Sequence, residues 1–138
     1  DDYAHHPTEV EATLKAAKTG WDRRVLAIFQ PHLFTRTRDF FKEFSYALQI
    51  SDYVILTDIY PARENPIPNI TSKLIYDELY KVMKNKCTLV SDLDNLIEII
   101  FKEVKSGDMV LTMGAGSIWR YCDSFYKDLL SMKKEEMI

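Results

Sequence analysis

The sequence predicts an α/β domain, Rossmann-like, with a mostly parallel sheet and helices on both faces. Four short apolar runs have the length of strands, and the first two, at 25–30 and 53–58, do not alternate with polar residues, which is typical of strands buried on both faces. Segments with apolar residues at helical spacing separate these runs, and proline and glycine fall mostly between the two kinds of segment. Alternating strands and helices favour a parallel sheet.

The first half of the chain predicts two helices, each followed by a strand. Proline is tolerated in the first turn of a helix, where its missing N–H would have no partner, and glycine is common where a helix ends. The predicted order is a helix from Pro7 to Gly20, a strand at 25–30, a helix capped near Thr37 that buries Phe40, Phe41, Phe44, Ala47 and Leu48, and a strand at 53–58.

A proline-rich loop at 59–71 separates the two halves, because three prolines exclude a helix or a central strand there. Ser72 is predicted to cap the next helix, and residues 91–94 resemble a capping box before the one after it. The predicted order is a helix burying Ile75, Leu79, Val82 and Met83, a strand at 87–90, a helix with Leu93, Leu96, Ile97, Ile100 and Val104 in one stripe, a strand at 108–113, a helix with Ile118, Cys122, Phe125, Leu129 and Met132 on one side, and a frayed or solvated tail at 133–138.

Length and composition indicate one ordinary globular domain. The 138 residues are 46% hydrophobic and 28% charged, and the net charge of -3 argues against a nucleic-acid binder. No apolar run has the length of a membrane helix. Cys87 and Cys122 lack metal or disulfide spacing, so we expect reduced thiols that pack in the core of a cytoplasmic protein. The start at Asp1 without a methionine suggests a segment of a longer protein.

Parallel sheets bind ligands at the carboxyl ends of their strands, near a switch in strand order. In this chain those ends hold residues 30–38, 58–66 and 113–118. Residues 1–6 are expected to follow a further strand and to join the same rim. The sequence therefore predicts a binding site built from these four segments.

The residue types on this rim leave several interpretations open. Arg36 or Arg38 could bind a carboxylate through two parallel hydrogen bonds, or either could be a surface arginine paired with Asp39 or Glu43. The glycines at 114–116 could admit a ligand to the backbone or make a plain tight turn. The loop at 58–67 carries a carboxylate, a tyrosine and an arginine, and it could equally be a surface connection.

The N-terminal stretch contains two adjacent histidines, His5 and His6, before a helix. We do not expect a metal site, because adjacent histidines rarely face one ion and no third ligand is evident nearby. The stretch could place an anionic ligand at the helix N-terminus, or it could be a helix cap with solvated histidines. The chain contains no G-x-x-x-x-G-K-[ST] loop for a triphosphate.

Four motifs carry a resemblance to a known family: DDYAHHPTE (1–9), FQPHLFTRTRDFFKEF (29–44), DIYPARENPI (58–67) and LTMGAGSI (111–118). In order and spacing they resemble the C-terminal domain of the Mur ligases, and most of all the members that add L-alanine to UDP-N-acetylmuramate. The resemblance implies that residues 1–138 are one domain of a three-domain enzyme of peptidoglycan synthesis. It also implies a central domain with the phosphate loop and Mg²⁺, and an N-terminal domain that binds the UDP-sugar.

The resemblance also implies the chemistry and the residue roles. ATP phosphorylates the muramate carboxylate, the alanine amine attacks the acyl phosphate, and phosphate leaves. No catalytic residue and no metal ligand is assigned to this domain, which alone should be inactive. Many relatives carry arginine where this chain has Leu33, and Arg38 could substitute for it. The implied contacts are Asp2 with the ATP ribose, Tyr3 near the nucleotide, His5 and His6 facing the amino acid and the reacting carboxyl group, Arg36 near the alanine carboxylate, and Gly114, Gly116 and Ser117 bounding the amino-acid pocket, with His32 and Thr35 shaping the loop.

Two other hypotheses remain open. The chain could belong to the related ligase that attaches a tripeptide during murein recycling, although the pattern at 30–38 favours the alanine-adding members. It could instead be a stand-alone α/β binding module. Under the ligase hypotheses the partners are ATP, the amino acid or peptide, the UDP-sugar and the enzyme's own other domains, with no nucleic acid and no membrane.

Overall fold

The structure is a computed structural model that describes residues 1–136, and it alternates helices and strands as the sequence predicts. Two short 3-10 turns, Lys84–Lys86 and Leu93–Asn95, complete the chain path. The elements are α1 Pro7–Gly20, β1 Val25–Phe29, α2 Phe34–Leu48, β2 Tyr53–Thr57, α3 Lys73–Met83, β3 Cys87–Val90, α4 Leu96–Glu103, β4 Met109–Met113 and α5 Trp119–Glu136.

The four strands form a parallel sheet in the order β3-β2-β1-β4. Ala27 in β1 pairs with Val54 of β2 on one side and with Leu111 of β4 on the other. The chain moves outward from β1 to β3 and then returns to the far side of β1. The strand order therefore switches between β1 and β4, and a crevice is expected at their carboxyl ends.

Both faces of the sheet are covered at its two central strands, which explains why the runs of β1 and β2 do not alternate with polar residues. All five residues of β1 are buried, and so are all five of β2. Val25, Ala27 and Phe29 pack in the core formed with α1, α2 and α3. Leu26 and Ile28 pack in a second core with residues of α4 and α5. The predicted architecture, with helices on both faces, is confirmed.

The start of α2 differs from the prediction. The helix begins at Phe34, three residues before the expected cap at Thr37, which is instead buried and donates its hydroxyl to the carbonyl of Leu33. Phe40 has a non-helical φ of -128° and is 40% exposed, so its predicted place in the core is wrong. The cap of α2 comes from a residue far along the chain, which local spacing cannot reveal.

Smaller differences occur in the later helices. Ser72 precedes α3, but its hydroxyl donates to the carbonyl of Thr57 on β2 and does not cap the helix. Val82 is 63% exposed, and Leu129 and Met132 are exposed as well, so the stripes on α3 and α5 are narrower than predicted. Residues 133–136 continue α5, and residues 133–135 are exposed. The tail positions 137–138 lie outside the described residues.

The cysteines agree in part with the sequence analysis, because Cys122 on α5 is only half-buried. Both are free, and Cys87 is buried in the core beneath α3. Burial raises the pKa of the Cys87 thiol, which keeps it protonated and unreactive. Cys87 is therefore a packing residue. None of the helices in residues 1–136 is long and apolar enough to cross a membrane.

Candidate functional site

The four predicted rim segments meet at the carboxyl ends of the strands. The N–H of Asp2 donates to the carbonyl of Thr112 over 2.8 Å, and the N–H of Gly114 donates to the carbonyl of Asp2 over 3.1 Å. A second bridge joins His32 to Tyr60, where the N–H of Leu33 donates to the Tyr60 carbonyl over 3.0 Å. The prediction that residues 1–6 join this rim is confirmed.

An aromatic row of Tyr3, His5, His32 and Tyr60 runs across the rim. The ring centroids are 5.1 Å apart between Tyr3 and His5, 6.0 Å between His5 and His32, and 5.6 Å between His32 and Tyr60. Tyr3 ends the row and is 68% exposed. His6 is exposed and lies beside the row, with its ring 5.0 Å from that of His5. The row connects the N-terminal stretch with the β1–α2 and β2–α3 loops.

The glycines of the 114–117 turn are required by close packing within the protein. A Cβ at Gly116 would lie 2.5 Å from Cγ of Tyr60, and a Cβ at Gly114 would lie 3.1 Å from the carbonyl oxygen of Gln30. The turn therefore passes directly against the Tyr60 ring and the end of β1. The glycines therefore form a tight turn that admits the Tyr60 side chain to the backbone. This turn forms one wall of the rim.

Gln30 joins the end of β1 to the same turn, although the sequence analysis gave it no role of its own. Its side chain is only 3% exposed. Nε2 donates to the hydroxyl of Ser117 over 3.3 Å, and Oε1 accepts the N–H of Ile118 over 3.2 Å. Because the Ser117 hydroxyl accepts from Gln30, it can still donate its own proton to a ligand. The signal in the sequence that could have identified Gln30 is an amide side chain directly after the apolar run of β1.

Glu64 caps α2 from the β2–α3 loop. Oε1 accepts the N–H of Phe34 over 2.5 Å and the N–H of Thr35 over 3.2 Å, while Oε2 accepts the Thr35 hydroxyl. The hydrogen bond from Thr35 contributes most to lowering the pKa of the Glu64 carboxyl group, so it stays ionised. The anion position at this helix N-terminus is therefore filled by the protein itself.

Arg36 lies in the first turn of α2 and has an unsatisfied polar atom. Its Nη1 is buried and makes no hydrogen bond within the described part of the chain, and the same holds for Nδ1 of the neighbouring His32. A buried polar atom without a partner costs about 1–3 kcal/mol, so a hydrogen bond from either atom to a bound group would be favourable. Arg38 instead is exposed and pairs with Asp39 at 2.8 Å. The surface-pair interpretation therefore describes Arg38, which makes it a poor substitute for the arginine absent at Leu33.

His32 is expected to make the domain's stability depend on pH. Burial lowers the pKa of its imidazole below the ordinary 6.5, and the nearby charge of Arg36 lowers it further. The unfolded chain then binds a proton at a higher pH than the folded one, so stability present above about pH 6.5 is lost as pH falls toward the folded-state pKa. Between about pH 7.5 and about pH 5.5, His32→Gln should lose less thermal stability than the wild type, because glutamine does not titrate.

Thermal unfolding followed by circular dichroism at both pH values measures this difference. Equal losses in wild type and variant would contradict the buried, neutral imidazole.

The expectation that no third metal ligand lies near the two N-terminal histidines is wrong. Ligand atoms of His5, His6 and Glu9 lie within 4.8 Å of one another. However, Oε1 of Glu9 accepts the N–H of His6 over 3.0 Å, and Nδ1 of His5 lies 2.9 Å from the Tyr3 carbonyl oxygen. The positive end of the α1 dipole also disfavours a cation there. The helix-cap interpretation therefore describes His6 and Glu9, while His5 belongs to the aromatic row.

Comparison with known proteins identifies the family of this chain. The family described as Mur ligase, glutamate ligase domain, matches residues 1–116. UDP-N-acetylmuramate–L-alanine ligases of Geotalea daltonii and Cutibacterium acnes are 48% and 52% identical to this chain over 86% of it. The chain spans only 26% and 25% of those two proteins, about a quarter of their length.

Solved structures give the same result. The UDP-N-acetylmuramate–alanine ligase of Thermotoga maritima matches 96% of this chain with a TM-score of 0.76 and 30% identity, and the match covers 26% of that protein. A murein peptide ligase of Psychrobacter arcticus matches 95% of the chain, and 26% of its own length, with a TM-score of 0.68 at 22% identity, which shows the fold alone. The chain belongs to the Mur ligase family, as its glutamate ligase domain.

Proposed function

We propose that residues 1–138 are the C-terminal domain of an ATP-dependent ligase that adds L-alanine to UDP-N-acetylmuramate in peptidoglycan precursor synthesis. The unpaired Nη1 of Arg36, beside the unpaired Nδ1 of His32 where the strand order switches, is the observation that carries this proposal. The identity to alanine-adding ligases supports it. Because the chain spans about a quarter of those relatives, the UDP-sugar site and the phosphate loop belong to other domains of the whole enzyme.

The amino-acid site is proposed on the side of the aromatic row that adjoins α2. The carboxylate of L-alanine accepts hydrogen bonds from the Arg36 guanidinium, which offers parallel donors in a planar fork. The turn with Gly114, Gly116 and Ser117 bounds the pocket and limits the side chain that fits. His5 and His6 face the amine and the carboxyl group it attacks.

The nucleotide site is proposed at the other end of the row. Oδ1 of Asp2 accepts the N–H of Ala4 over 2.8 Å, which fixes the carboxylate and leaves Oδ2 available, within the described residues, to a ribose hydroxyl. Tyr3 is exposed beside it and can pack against the nucleotide. Mg²⁺ prefers oxygen ligands, so the histidine-rich N-terminal stretch does not fit it, and the ion is held mainly by the central domain.

The contribution of this domain to the reaction is positioning. ATP converts the muramate carboxylate to an acyl phosphate, and the alanine amine must then reach that carbon without competition from water. A rim that holds the nucleotide at Asp2 and the amino acid at Arg36 brings the two reactants together when the domain closes on the central one. No residue of this domain is assigned a proton transfer.

The murein-recycling hypothesis has weaker support, because that likeness shows the fold alone. A stand-alone module is disfavoured by relatives of about four times the length. The proposed substrates, a UDP-sugar and ATP, place the enzyme in the cytoplasm, and neither a nucleic acid nor a membrane is a partner.

Acceptor choice in the full-length enzyme tests the proposal. With ATP and UDP-N-acetylmuramate, free L-alanine should yield ADP and the ligated product, whereas the tripeptide should not. The isolated 138-residue chain should release no phosphate from ATP, because it contains no phosphate loop. Preference for the tripeptide would favour the recycling enzyme, and robust ATP turnover by the isolated chain would overturn the proposed division of labour between domains.

A further inference from the structure

We propose that Glu64 is a positioning residue of the amino-acid site, whose carboxylate holds the pocket's two walls together. This rests on the proposed function, since it assigns Glu64 to the site that binds L-alanine. Glu64 lies on the β2–α3 loop and contacts the first turn of α2, where Arg36 lies. It thus links Tyr60, four residues before it, to Arg36.

The hydrogen bonds of Glu64 fix the first turn of α2 in three places. The carboxylate accepts the N–H of Phe34, the N–H of Thr35 and the hydroxyl of Thr35. Thr35 directly precedes Arg36, so its backbone position sets where the guanidinium begins. Hydrogen bonds to a carboxylate are stronger than neutral ones, and three of them on one group restrict the turn far more than a single cap.

The loop that carries Glu64 is itself held in a defined turn. The N–H of Glu64 donates to the carbonyl of Pro61 over 2.9 Å, and Ala62 between them has a positive φ of 54°. On the near side of the turn, the N–H of Tyr60 donates to the carbonyl of Pro31 over 2.8 Å. The loop is therefore tied to the β1–α2 segment at both ends of a five-residue stretch, 60–64. The Tyr60 ring that packs against Gly116 is set by this double attachment.

Charge gives Glu64 a second role in positioning. A guanidinium in the first turn of a helix faces the positive end of the helix dipole, which is unfavourable without an anion at that end. The carboxylate of Glu64, bound to the N–H groups of this turn, supplies an anion at the same end of the helix. It also occupies the N–H groups of Phe34 and Thr35 that would otherwise attract a substrate carboxylate. The amino acid is thereby directed to Arg36 and away from the end of the helix.

The test uses the full-length ligase with Glu64→Ala, Glu64→Gln and Glu64→Asp. Glu43→Gln is the matched control, because Glu43 is exposed on α2, the helix that Glu64 caps, and the substitution removes the same charge. Glu64→Ala should raise the KM for L-alanine about tenfold or more and leave the KM for ATP within about twofold. Glu64→Asp keeps the charge and should recover part of the affinity for L-alanine. The KM for L-alanine of Glu64→Gln should lie between those of Glu64→Ala and the wild type. Glu43→Gln should match the wild type.

A second measurement separates this role from a purely stabilising one and does not depend on activity. Amide hydrogen exchange of the peptide covering 33–38 should be faster in Glu64→Ala than in the control. A lower melting temperature with unchanged exchange at 33–38 and unchanged KM for L-alanine would overturn the proposal. If Glu64→Ala does not fold, Glu64→Asp and Glu64→Gln decide in its place, and an unchanged KM for L-alanine in both variants would overturn the proposal. If the wild type fails to ligate L-alanine at all, the proposed function fails, whatever the exchange shows.

Discussion

In the full-length ligase, Arg36→Ala is expected to raise the KM for L-alanine about 100-fold and to leave the KM for ATP within about twofold. A hydrogen bond to a charged group contributes about 1.5–3 kcal/mol, and about 1.4 kcal/mol corresponds to a factor of ten. Arg36 is half-buried, and its Nη1 has no partner among residues 1–136, so no contact within this part of the chain competes with the substrate carboxylate. Initial rates with each substrate varied in turn measure both constants.

Three further variants make this result specific. Arg38→Ala removes the same charge two residues later, but Arg38 is exposed and paired with Asp39, so both constants should stay near wild type. Arg36→Lys keeps the charge without the planar fork and should be intermediate. Asp2→Ala should give the opposite split, with a raised KM for ATP and an unchanged KM for L-alanine. An equal effect of Arg36→Ala on both substrates would contradict the assigned role.

Much of the fold could be predicted because hydrophobic burial leaves a local record in the sequence. The apolar runs that became β1 and β2 are buried on both faces, and the period of α1 matches its buried residues Val10, Leu14 and Ala17. The errors arise where a partner is distant in sequence. The start of α2 depends on Glu64, 30 residues beyond Phe34, and the Ser72 hydroxyl is used by Thr57 on another element. Spacing along the chain contains no trace of either contact.

The position of the candidate site on the fold could be predicted from the sequence, but its ligands could not. The alternation of elements located the rim, because parallel strands must end at one edge. The assignment of its ligands came only from the family resemblance. Which arginine is available could not be decided from composition, since Arg36 and Arg38 have the same chemistry and differ only in burial and partners. The contacts of Gln30 with Ser117 and of Tyr60 with Gly116 require the fold, because they join residues that lie far apart in the chain.

Gly116→Ala is expected to lower the free energy of unfolding by about 1–3 kcal/mol and to weaken the binding of L-alanine in the full-length enzyme. The added Cβ would lie 2.5 Å from Cγ and less than 3 Å from both Cδ atoms of the Tyr60 ring. The ring cannot yield easily, since its loop is tied to β1–α2 by the backbone bridge at His32 and by Glu64. Either the turn or the aromatic row must move, and both form walls of the proposed pocket.

A glycine without neighbours provides the control for this substitution. Gly20 ends α1, and a Cβ added there would meet no atom within 4 Å, so Gly20→Ala should leave stability within about 0.5 kcal/mol or raise it slightly. Urea unfolding of both variants gives the comparison. The double variant with Tyr60→Ala tests the clash directly. Because the Tyr60 ring is then absent, Gly116→Ala should cost much less stability in the Tyr60→Ala background than in the wild type. Strictly additive losses would show that the Tyr60 ring is not what excludes a side chain at 116, and that this wall of the proposed amino-acid pocket is set by some other contact.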